Sequence, residues 1–126
     1  MKDELEYLTI IEVLNIHKIL IQKYGGTDGI RDMGALEAAL FRPQTGYYED
    51  FIEEAAALWE SLFQNHPFLD GNKRVALAVV YTFLTLNGHK PRIDVKEAIE
   101  YINNLYNSGQ FEFKNIEKWL RNIFAD

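Results

Sequence analysis

Asn72-Lys73-Arg74-Val75-Ala76-Leu77-Ala78-Val79-Val80-Tyr81-Thr82-Phe83-Leu84-Thr85-Leu86 is the stretch whose reading decides the fold. From Val75 onward it is apolar apart from Thr82 and Thr85. β-Propensity alone would allow a strand over Val75 to Tyr81, but the length of the run and its alanines favour a helix. A helix that is apolar on every face belongs in the middle of a fold, and Asn87-Gly88 ends this one.

Working outward, residues 7–24 carry Leu8, Ile11, Leu14, Ile16, Ile19 and Leu20 at helical spacing, closed by Gly25-Gly26. Asp32 caps a short helix to residue 41 with Leu36, Ala39 and Leu40 inward. Pro43 closes it, because the residue before a proline avoids the α region, and 43–48 is a turn-rich connection. A helix over 50–65 places Phe51, Ala55, Leu58, Trp59 and Leu62 on one side and stops ahead of Pro67. Residues 94–107 and 115–124 form two more amphipathic helices, and Trp59 and Trp119 fall on apolar stripes and belong to the core. The expectation is an all-α domain spanning 1–126, with about six helices around a central buried helix, 72–87 with its cap.

Composition narrows the function classes. The chain has 126 residues, with 13 Lys+Arg against 19 Asp+Glu, a net charge of -6. This acidic balance argues against a protein whose main task is gripping a phosphate backbone, so no direct nucleic-acid binding is expected. Without cysteine, disulfides, Cys-based zinc sites and thiol nucleophiles are excluded. The amino terminus Met1-Lys2-Asp3-Glu4 is acidic where a signal peptide would be basic. No apolar run approaches the roughly 18 residues that span a bilayer. A soluble, cytoplasmic protein with no membrane attachment is expected.

The densest polar cluster is His66-Pro67-Phe68-Leu69-Asp70-Gly71-Asn72-Lys73-Arg74, a loop and the first turn of the central helix. A helix start offers unpaired N–H groups and the positive end of the dipole, which suits phosphate. Gly71 lets a ligand approach the backbone closely. Asp70 is a hard oxygen ligand suited to Mg²⁺, which takes one or two carboxylates plus substrate phosphates. His66 has the acid–base range of a general base. Lys73 and Arg74 oppose the dipole slightly, a placement that favours function over accident. Taken singly, each residue reads more simply as packing, turn or cap; together they are the equipment of phosphoryl or nucleotidyl transfer.

This nine-residue stretch resembles the signature of the Fic/Doc family, His-Pro-Phe-x-Asp/Glu-Gly-Asn-Gly/Lys-Arg, and Lys73 resembles the death-on-curing (Doc) branch, the toxins of toxin–antitoxin pairs. Tyr24-Gly25-Gly26, Leu36-Glu37-Ala38-Ala39-Leu40 with Arg42-Pro43, and Phe83-Leu84 with Asn87-Gly88 extend the likeness over residues 7–90. The resemblance implies a Fic fold, ATP and Mg²⁺ as cofactors, and a protein hydroxyl as acceptor. It implies that His66 deprotonates the acceptor, Asp70 holds Mg²⁺, and Gly71 and Asn72 bind phosphate oxygens. It further implies that Lys73 and Arg74 neutralise charge on the transferring group, and that Phe68 anchors the loop. Arg42 lies near the segment that forms the family's flap, where it either positions nucleotide or target, or is a solvated helix-end residue.

Adenylyl-transferring members have Gly where this chain has Lys73, and a further Arg where it has Leu77; both departures resemble Doc-like phosphotransfer. Gly71, where the Doc prototype has Ala, does not. Adenylyl transfer and a catalytically inactive Fic-fold binding module stay as alternatives. By the same resemblance the acceptor would be elongation factor Tu. The inhibitory pattern of longer relatives, Ser/Thr-x-x-x-Glu-Gly/Asn, fails at its last position in both Thr45…Glu49-Asp50 and Ser108…Glu112-Phe113. Inhibition is therefore expected in trans, from an antitoxin whose disordered tail folds into a groove. His17 and His89 are read as surface or helix-end residues, and Glu53-Glu54 and Glu97…Glu100 as solvated faces.

Overall fold

The computed structural model describes residues 4–124. Six helices follow one another: α1 (Ile10–Tyr24), α2 (Met33–Phe41), α3 (Phe51–Gln64), α4 (Asn72–Leu86), α5 (Val95–Asn107) and α6 (Phe113–Phe124). The fold is all-α. α2 ends at residue 41 as expected, but not because Arg42 leaves the α region: Arg42 keeps φ -49°, ψ -46°, and the chain tightens there into a 3-10 turn, Arg42–Thr45, that takes Pro43 at its start, where a missing N–H costs nothing.

The starts of the helices are written in short polar side chains. Asp32, Asp50 and Asp94 each accept a hydrogen bond from a first-turn amide: Ala35 at 3.0 Å, Glu53 at 2.9 Å and Lys96 at 2.8 Å. Residues 7–9 are not helical, because Thr9 and Glu12 form a reciprocal capping box that begins α1 at Ile10. That start also resets the buried face. Val13 and His17 are buried and Ile10, Leu14, Ile16 and Leu20 pack partly, whereas Ile11 and Ile19 stand in solvent. The stripe read from aliphatic residues alone was rotated, because its centre is a histidine.

The most enclosed helix is α3. Ten of its residues are buried, including the small run Ala55-Ala56-Ala57, which lets neighbouring helices approach. It packs against α2, α4, α6 and the 3-10 turn. The helix expected to be buried all round, α4, encloses Val75, Ala76, Val79, Val80, Phe83 and Leu84 but leaves Leu77, Ala78 and Tyr81 partly open and Thr82 exposed. Its remaining apolar face lines a groove instead of the core. Trp59 and Trp119 meet edge to face at 5.4 Å and join α3 to α6. Among the described residues, no helix is long and apolar enough to cross a membrane.

Glu54, expected on a solvated face, is fully buried in α3. Its Oε1 accepts the Tyr7 hydroxyl at 2.6 Å, and Tyr7 stacks on Phe83 at 5.8 Å. Asn87 clasps the Glu6 backbone both ways, at 2.7 and 2.9 Å. The extended segment before α1 is thus strapped to α3 and to the end of α4. Burial, then the hydrogen bond to Glu54 and its negative charge, push the Tyr7 hydroxyl pKa well above its ordinary value. A group kept protonated in this way adds stability that is complete below about pH 10 and is lost as pH rises through the folded value. Tyr7→Phe should destabilise the protein by about 1–2 kcal/mol at neutral pH. The gap to wild type should narrow above pH 10, as read by urea denaturation across pH.

Candidate functional site

The motif loop joins the end of α3 to the start of α4, and Phe68 holds it down. Its ring is 1% exposed and stacks on His17 with centroids 3.8 Å apart and planes 8° from parallel. Asn72 clamps the Phe68 backbone from above: its Oδ1 accepts the Phe68 N–H at 3.0 Å and its Nδ2 donates to the Phe68 carbonyl at 3.0 Å. The clamp occupies Oδ1 and one Nδ2 proton of the Asn72 side chain. His17, expected at the surface, is 2% exposed and its Nε2–H donates to the Asp70 carbonyl at 2.8 Å.

A second loop, between α1 and α2, runs antiparallel to the first. Ile30 and Phe68 form a β-bridge. The Arg31 and Asp32 amides donate to the Pro67 carbonyl at 2.8 and 3.0 Å, and the Leu69 amide to the Gly29 carbonyl at 3.1 Å. The Asp70 carboxylate accepts the Gly71 amide at 2.8 Å through Oδ1 and the Thr27 amide at 3.2 Å through Oδ2. This approach requires glycine at 26: a Cβ there would stand 2.8 Å from Asp70 Oδ2. Asp70 is exposed, and oxygen lone pairs remain beyond these two bonds.

His66 opens the loop with φ of 45°, a left-handed conformation that costs a non-glycine residue about 1–2 kcal/mol. Its side chain is exposed at the surface. Gly71 closes the loop at φ 77°, ψ 15° as the cap of α4 and offers no side-chain bond to the first-turn amides. The amides that α1, α2, α3 and α5 cover with a Thr or Asp side chain stay open here beside the Asp70 carboxylate. An uncovered helix start is an anion site.

The two cations lie apart. Lys73 Nζ rests 5.9 Å from the Phe63 ring centre and 5.6 Å from that of Tyr106. The Arg74 guanidinium lies 4.4 Å over the Tyr24 ring at the end of α1. Arg42 is not part of this site. Its Nε donates to the Tyr48 hydroxyl at 2.7 Å, and its Nη1 to Glu60 at 2.8 Å and Ser61 Oγ at 2.8 Å. Burial alone would lower its pKa; the bonds to Glu60 and Tyr48 outweigh that and raise it. Arg42 and Glu60 tie the 3-10 turn to α3, and Glu60 Oε2 also accepts the first amide of α6, Phe113, at 2.7 Å. The structure thus brings together His66, Asp70, Gly71 and Asn72, rests Lys73 and Arg74 on aromatic faces, and leaves Arg42 in the scaffold.

A model of the Fic/DOC family matches residues 7–84 of the chain, more than half its length. The chain belongs to the Fic/Doc family. Its Fic/Doc relatives include Toxin Doc of Mycolicibacterium smegmatis (strain ATCC 700084 / mc(2)155), 41% identical over 107 residues, covering 79% of this chain and 80% of that protein. Protein kinase doc of Escherichia phage P1 is 37% identical over 81 residues, covering 61% of this chain and 64% of the phage protein.

Among the described residues, no group of three or more His, Asp or Glu side chains is placed to hold a metal ion by itself. One carboxylate beside an anion site suits Mg²⁺ that arrives with phosphate ligands, and the Asp70–α4 start has that donor set. Asn72→Ala should remove both bonds to Phe68 and destabilise the protein by about 1–3 kcal/mol. The Phe68 amide should exchange faster with solvent, measured by denaturation and hydrogen exchange.

Proposed function

We propose that this Fic/Doc protein is the toxin of a toxin–antitoxin pair and transfers the γ-phosphoryl group of ATP to a protein hydroxyl. What carries the reading is the exposed His66 at one end of a rigid loop whose other end sets the Asp70 carboxylate beside an open helix start. The likeness to a protein named as a kinase supports it.

In this reading His66 accepts the proton of the acceptor hydroxyl as its oxygen bonds to the γ-phosphorus. The bond between that phosphorus and the β–γ bridging oxygen breaks, and ADP leaves. Asp70 is the protein ligand for Mg²⁺, which when bound offsets charge on the phosphates. The first-turn amides of α4, from Asn72 on, hold phosphate oxygens, and Gly71, with no side chain, lets them approach. Lys73 and Arg74 turn from their aromatic rests, worth about 0.5–1 kcal/mol at exposed sites, to neutralise the transferring group. The acceptor we infer is elongation factor Tu in the cytoplasm, whose modification would arrest translation.

The test is transfer from ATP labelled at the α or the γ position to elongation factor Tu and to cell extract. Label from the γ position only is expected. Label from the α position only would replace the reading with adenylyl transfer. No label, with normal growth on overexpression, would leave a binding module. His66→Ala should lower transfer by at least about 10²-fold while ATP binding, read by calorimetry, persists.

The antitoxin's seat in this reading is a groove of about 840 Å³ between α1, α4 and α5. It is lined by Leu20, Tyr24, Leu77, Tyr81, Ile93 and Ile99, with Arg74 among its walls. An amphipathic helix fits such a groove. Ala78→Arg, inside it, should leave toxicity intact and abolish rescue by the co-expressed antitoxin, read as growth.

A further inference from the structure

One side chain outside α3 holds the carbonyls that close it. Arg31, in the α1–α2 loop, donates from Nε to the His66 carbonyl and from Nη2 to the Asn65 carbonyl, both at 2.6 Å. These are short, charge-assisted bonds to acceptors that a helix end leaves without partners. The last turn of α3 has no basic residue of its own, so Arg31 also supplies the cation that the negative end of the dipole favours. Its own amide donates to the Pro67 carbonyl at 2.8 Å. Arg31 is therefore fixed by backbone and side chain to Asn65, His66 and Pro67. Among the described residues His66 is the one non-glycine residue with positive φ. A strained conformation persists only where its surroundings over-determine it, and here Arg31 does so.

We propose that Arg31 is a positioning residue for phosphoryl transfer: its guanidinium fork holds the His66 peptide in the left-handed turn that presents the imidazole. This rests on the reading of His66 as proton acceptor given above. The planar fork meets two carbonyls at once, which a lysine cannot reproduce. The groups assigned to phosphate and Mg²⁺ lie at the other end of the loop, where Asp70 is held by Thr27 and Gly71 and Asn72 by Phe68. Loss of Arg31 should therefore reduce the rate of transfer and leave nucleotide affinity nearly unchanged.

The experiment compares wild type, Arg31→Ala and Arg31→Lys in transfer of γ-labelled phosphate to elongation factor Tu, with thermal unfolding measured alongside. For Arg31→Ala, kcat should fall about 10–100-fold, the scale of a small misplacement of a reacting group. KM for ATP should stay within about threefold. Millimolar guanidinium should restore part of the lost rate, and sodium at the same ionic strength should not. If Arg31→Ala does not fold, Arg31→Lys carries the test, with a smaller fall in kcat at constant KM. A folded variant that transfers at the wild-type rate would overturn the proposal, as would a raised KM for ATP with unchanged kcat. If wild type transfers no γ-phosphate, the assigned reaction falls. The positioning claim is then judged by NMR, where backbone signals of residues 65–68 and the His66 ring unmoved by Arg31→Ala would overturn it.

Discussion

Everything at the loop depends on the burial of Phe68. Its ring lies flat on His17, and its peptide is gripped by Asn72 on one side and bridged to Ile30 on the other. An aromatic side chain enclosed to this degree contributes on the order of 2–3 kcal/mol by removal from water. That is enough to outweigh the left-handed turns at His66 and Gly71 that bracket it. Because the anchor is central, both loop ends are fixed while their side chains stay in solvent. The His66 imidazole and the Asp70 carboxylate can therefore face a ligand without loosening the fold.

The net charge of -6 is compatible with the phosphate role proposed for the start of α4, because that role draws on dipoles more than on ionised side chains. The start of α4 supplies open amides, and Gly71 supplies a cap that cannot cover them. The formal cations, Lys73 and Arg74, rest on aromatic faces, where their charge is partly shielded. Arg42, in contrast, is held by Glu60, Ser61 and Tyr48, so a cation whose sequence allows either a site role or a solvated helix end is tied into the scaffold. Burial and bonding partners, not charge, separate the two cases.

What the sequence disclosed was local. The cap at Asp32, the stop ahead of Pro67 and the nine-residue motif are each defined by neighbours within a few positions, and they fall where expected. The capping box of Thr9 and Glu12 is equally local and sets the start of α1 at Ile10. The residues that escaped the sequence reading act over long separations. His17 meets the loop at Phe68 and Asp70, Arg31 at Asn65 and His66, and Glu54 meets Tyr7. Each looks like a surface residue when only its own segment is considered, because its partner is supplied by a distant turn of chain. The same limit applies to α3 and α4: α4 is richer in aliphatic side chains, but enclosure follows from how many helices surround an element, and that is a property of the packing.

The unequal burial of α4 links the site to the groove. The helix whose first turn carries the proposed phosphate site also presents Leu77, Ala78 and Tyr81 to the cleft beside α1 and α5, and Arg74 belongs to both: it stands on the first turn and lines the cleft. Its guanidinium lies on Tyr24, which is another wall of the same groove. A helix seated there with an acidic residue near that end would pair with Arg74 and hold it on Tyr24. In the proposed reaction Arg74 would then be kept from the phosphate, although the occupant never entered the motif loop. A groove lying only along the flank of α4 would act through shape alone. One that shares a cation with the site can act through charge as well.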